Sequence, residues 1–126
     1  MSISEQATAT IKPRETFGRI VSDAEVGKAL DFLRDSADAV GKARERLIKS
    51  GHMVKHVEAL LTLASEERSV EARKCEAKTD QRWIEAVNEE AAAAGEFEKM
   101  KALREAAAAK IEAWRSESAN YRGMRA

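Results

Sequence analysis

The chain is poor in the residues that make compact, cross-linked or sheet-rich folds. It has one cysteine, one proline and six aromatic residues in 126 positions. A lone thiol, Cys75, excludes an intramolecular disulfide framework. So few aromatics, with only five threonines, argue against a β-sandwich or barrel, whose strands are built from β-branched and aromatic residues between frequent turns. No stretch approaches the roughly 18 consecutive apolar residues of a membrane span. Net charge is missing too: 22 basic residues balance 22 acidic ones, so the overall basicity of a nucleic-acid binder is absent. Met1 to Thr10 is polar and lacks the apolar core of a secretory signal. With a free thiol, which suits a reducing compartment, this predicts a cytoplasmic protein.

What is there is alanine. It supplies 24 of the apolar residues, and the larger apolar side chains make up only about a quarter of the chain. Together with Glu, Lys, Leu and Arg this is the composition of long helices or coiled coil. Charge is unevenly spread along the sequence. Residues 1–22 carry +1, 23–65 are neutral, 66–109 carry −3 and 110–126 carry +2.

Three segments follow from the pattern. Residues 1–22 read as a tail: Ser2, Ser4, Thr8, Thr10 and Thr16 dilute its apolar content, and Pro13 interrupts any early helix. Phe17, Ile20 and Val21 are the residues able to dock its end, and a mobile arm is the favoured reading. Residues 23–122 read as a single helical domain, and 123–126 as a C-terminal tail after Gly123.

Within the domain, Ser22 followed by Glu25 has the spacing of a capping box. Val26, Leu30, Leu33, Ala37, Val40, Arg44 and Leu47 then fall at steps of three and four, which predicts a first helix over about 23–49. Ser50-Gly51 is the clearest breaker and places a second helix from about 52. Ser65 could cap a restart, but no proline or glycine lies between Glu66 and Lys78. Thr79-Asp80 is a softer break. After it runs the longest periodic segment: Trp83, Ala86, Glu90, Ala93, Phe97, Met100, Arg104, Ala107, Ile111, Trp114, Ser118 and Tyr121. The expected fold is all-α, an antiparallel helical hairpin or small bundle with one long C-terminal, coiled-coil-like helix. An alanine-lined seam buries little area, so a lone chain should be marginal and oligomerisation is expected.

Residues with chemical potential are sparse. His52 and His56 share a helix face at i,i+4, a zinc-compatible spacing, but no third ligand is evident. Basic neighbours could activate Cys75, yet no histidine is near it in sequence to serve as base. The paired acids Glu66-Glu67 and Glu89-Glu90 sit among basic residues on predicted solvated faces. No catalytic residue, metal or cofactor is assigned.

The aromatic and long apolar residues of the last helix carry the functional expectation. Trp83, Phe97, Met100, Ile111, Trp114 and Tyr121 are the candidate partner-binding surface, acting by helix-on-helix association. An alternative uses the basic end. Lys110, Arg115, Arg122 and Arg125 would meet phosphates while Trp114 or Tyr121 stacks on single-stranded bases.

The stretch Met100-Lys-Ala-Leu-Arg-Glu-Ala-Ala-Ala-Ala-Lys-Ile-Glu-Ala-Trp-Arg-Ser-Glu-Ser-Ala-Asn-Tyr-Arg-Gly-Met-Arg125 resembles the C-terminal signature of small helical proteins of bacteriophages and prophages. Ala29-Leu-Asp-Phe-Leu-Arg-Asp-Ser-Ala-Asp-Ala39 and Ser69-Val-Glu-Ala-Arg73 are similar to them as well, and the likeness spans roughly 26–125 with a loose middle. The resemblance implies an accessory, non-enzymatic protein of a bacterial host cell, carried among genes for replication and recombination. Its expected partners are a second copy, another protein or single-stranded DNA. Inhibition of a host defence system is a further alternative without residue-level support. The signature assigns no catalytic residue.

Overall fold

The computed structural model describes residues 20–125, and those residues form four α-helices and no strand. Helix α1 is Asp23–Asp35, α2 is Ala37–Ala64, α3 is Val70–Thr79 and α4 is Gln81–Arg125, a single helix of 45 residues. The all-α expectation with a dominant C-terminal helix holds. Among the described residues no helix is long and apolar enough to cross a membrane. Of the N-terminal segment, residues 1–19, Phe17 included, lie outside the described residues.

Contacts group the described residues into two units. One takes α1 up to Arg34 with α4 from Ala106 onward, and the other takes Asp35–Glu105.

In the first unit the capping box forms as the sequence predicts. Ser22 Oγ accepts the Glu25 N–H at 3.1 Å, Glu25 Oε2 accepts the Ser22 N–H at 3.2 Å, and the Ser22 carbonyl accepts the first helical bond from Val26. Two of the orphan donors of α1 are thereby satisfied. Val21, just before the cap, is buried, as are Val26 and Ala29 inside the helix. Ile20 N–H donates to Glu117 Oε1 at 2.7 Å, and Trp114 Nε1–H donates to Asp23 Oδ1 at 2.7 Å. Advancing three residues along the first strand of chain retreats three along α4, so the two run antiparallel.

In the second unit α2 and α4 are also antiparallel. Ser36 Oγ accepts from Arg104 Nη1 at 2.6 Å, while Arg46 further along α2 pairs with Glu89 at 2.7 Å. Ala43 and Ser50 of α2 and Ala93 of α4 are buried. Ala93 is wholly inaccessible, 0% exposed, so the side chain there is as small as the helices allow. Helix α3 packs back on α2, and its Ala77 is buried. Its turn is built from side chains. Ser69 caps α3 by accepting the Ala72 N–H at 3.0 Å, Ser65 Oγ donates to Glu76, and Arg73 Nε donates to the Glu67 carbonyl at 2.6 Å. Asp80 caps α4 by accepting the Arg82 N–H at 2.8 Å.

The helix boundaries differ from the sequence reading in three places. The first break falls at Ser36, not at Ser50-Gly51, and α2 passes through both of those residues. Ser50 is buried and Gly51 lies against the Glu90 carboxylate, so small side chains here serve close helix approach, and packing outweighs their low helix propensity. The chain leaves the helix after Ala64, where Ser65 turns extended. At the far end α4 runs through Gly123 to Arg125.

One row of the first seam is also shifted. Leu30, Ala37 and Arg44 are exposed, while Ala29, Ser36 and Ala43 are buried. Val26 is buried and Leu33, Val40 and Leu47 are half-buried, as the pattern predicts; the companion row is displaced by one residue onto small side chains that recur every seven residues through Ser50. The α4 seam is placed correctly: all twelve residues from Trp83 to Tyr121 are buried or half-buried.

Candidate interaction surfaces

The six candidate partner-binding residues divide between the units. Trp83, Phe97 and Met100 lie in the second, and Ile111, Trp114 and Tyr121 in the first. Each is half-buried on the inner face of α4. The Trp83 indole N–H is buried without a hydrogen-bond partner, an arrangement that costs about 1–3 kcal/mol. The Trp114 indole N–H is taken by Asp23.

On the basic end, Lys110, Arg115 and Arg122 are exposed, and the Arg125 side chain lies outside the described residues. Arg115 pairs with Glu112 at 3.0 Å. Beside them Glu117 holds the Ile20 N–H with one oxygen, while its other oxygen and Ser118 Oγ are buried without partners.

His52 and His56 are exposed on α2 and Cys75 is exposed on α3. Among the described residues no three His, Cys, Asp or Glu side chains are grouped to hold a metal ion. The surface charges pair along helices. Hydrogen bonding to Lys49 holds the Glu45 carboxyl below its ordinary range, and Asp38 raises Lys42 in the same way. The Arg82 guanidinium does this for Asp80, lowering it. Such exposed pairs contribute little to stability.

The outer faces carry large apolar side chains that the helical pattern does not predict there. Among the described residues no large side chain is fully buried; the apolar core consists of Val21, Val26, Ala29, Ala43, Ala77, Ala93 and Ala107. Leu30, Ile48, Met53, Leu60, Leu63, Val70 and Leu103 are instead exposed, Leu63 at 80%. A signal was present in the sequence: serine and alanine at spacings of seven mark the inner row, which turns the neighbouring leucines outward.

Two grooves lie in the second unit. One, of about 670 Å³, sits at the α2–α3 turn among Glu66, Glu67, Glu76 and Arg68. The other, of about 420 Å³, lies between α2 and α3 and is lined by Lys55, Glu58, Ala59, Thr62, Leu63 and Lys74. Comparison with protein families, with curated proteins and with solved structures finds no match to this chain.

Proposed function

We propose that the chain is a non-enzymatic accessory protein of a phage or prophage, acting by helix-mediated protein–protein association in the setting of DNA replication or recombination. The observation that carries this reading is the inversion of its apolar residues. Alanine and valine fill the core, while leucine, isoleucine and methionine stand exposed on α1, α2 and α4. Apolar side chains left in water are stabilised by a partner that covers them, at about 25 cal/mol per Å² removed from solvent. The phage setting rests on the resemblance of residues 26–125.

The geometry favours protein over single-stranded DNA as the direct partner. Trp114 is half-buried with its indole N–H held by Asp23, which limits the ring face open to a base, and Arg115 is engaged by Glu112. Affinity purification of the tagged full chain from phage-carrying cells, with and without nuclease, tests the choice. Proteins retained after nuclease treatment are the expected result. Capture that depends entirely on nucleic acid would overturn it.

A further inference from the structure

The α2–α3 groove has features of a recognition surface rather than a packing defect. Its floor is apolar. Ala59 and Leu63 line it, and the Thr62 hydroxyl is turned away to donate to the Glu58 carbonyl of its own helix at 2.7 Å. Lys55, Ala59 and Leu63 stand at i, i+4 and i+8, a ridge of the kind against which a second helix seats. Lys55 on α2 and Lys74 on α3 both line the groove, and among the described residues neither side chain makes an ion pair or a hydrogen bond. Glu58 is the single acidic residue there, so the lining is net positive. The groove is shallow, so it covers one face of an occupant, whereas small-molecule sites enclose most of their ligand.

We propose that this groove docks an acidic amphipathic helix of a protein partner, its apolar stripe on Ala59, Thr62 and Leu63 and its carboxylates on Lys55 and Lys74. This deepens the association function above and rests on it. The two lysines supply the specificity: they attract an acidic flank and repel a basic one, while the apolar floor supplies affinity.

A displayed library of helical peptides about five turns long tests the assignment. Each peptide carries a fixed Leu/Ala stripe, with randomised positions on both sides of it. The full chain is the bait, followed by its Leu63→Asp variant and its Lys55→Glu/Lys74→Glu variant. All three substituted residues are exposed, and circular dichroism verifies retained helix content. The expected peptides carry Asp or Glu beside the stripe and bind each variant about tenfold more weakly. Basic or neutral flanks, or affinity unchanged in both variants, overturn the proposal. Peptides that bind elsewhere on the chain would do so while leaving the association function standing; recovery of no helical peptide would count against both. Self-association abolished by Leu63→Asp would make a second copy the occupant and also overturn it.

Discussion

Trp114 Nε1 lies 2.7 Å from Asp23 Oδ1, a hydrogen bond across 91 residues of sequence that ties the start of α1 to α4. The bond uses the only polar atom of an otherwise apolar side chain, and so fixes the orientation of the ring. Asp23→Ala removes the acceptor and should cost about 1 kcal/mol of stability, with a shift in tryptophan emission. Asp23→Asn keeps an oxygen in place and should cost less. Equal losses in the two variants, measured by urea unfolding, would refute the assignment.

The buried small-residue row makes a register prediction. Ala43→Leu places a large side chain on the inner face and should destabilise by about 1–3 kcal/mol through overpacking. Arg44→Leu, one residue on and exposed, should be close to neutral. The reverse ranking would restore the seam that the larger side chains suggest.

Gly51→Ala separates a helix breaker from a helix interior. An added Cβ would sit 2.8 Å from Glu90 Oε2, the movable end of a flexible side chain. Once the carboxylate shifts, the better helix former should stabilise the chain by up to about 1 kcal/mol. A thermal midpoint that falls instead would show that the approach of Glu90 cannot relax.

Acid should loosen the start of α4. Asp80 is held below the usual carboxylate range by its bond to Arg82. A carboxyl depressed in the folded state contributes stability that is present above its unfolded value and is lost as pH falls through the folded one. The window therefore lies in the acidic range, at and below the ordinary carboxylate value. Protection of the Arg82 and Trp83 amides, corrected for the intrinsic pH dependence of exchange, should fall there, and Asp80→Asn, which keeps a capping oxygen but cannot titrate, should remove that fall.

The α4 pattern was legible because its positions alternate aromatics, alanines and long side chains at unbroken steps of three and four. The capping box at Ser22 and Glu25 was legible because it is local. On α1 and α2 the row of Val26, Leu33, Val40 and Leu47 was legible from side-chain size, whereas Ala29, Ser36, Ala43 and Ser50, small for close approach to another helix, show only as a seven-residue repeat that hydrophobic ranking passes over in favour of Leu30. The break at Ser36 is equally quiet. Its backbone stays near helical values, and Arg104 from a distant part of the chain supplies the partner for its hydroxyl. The groove with Lys55 and Lys74 depends on how α3 folds back on α2, which no local spacing encodes.

The central physical claim is that a core of alanine and valine leaves this chain dependent on association. Urea unfolding over a wide range of protein concentrations, with sedimentation to report mass, tests it most directly. The account predicts that the 13.9 kDa chain alone unfolds with less than about 5 kcal/mol, the low end for natural domains. It also predicts that its midpoint rises when self-association or an added partner covers the exposed leucines. A monomer at every concentration, with a fixed midpoint and a stability above about 10 kcal/mol, would contradict it.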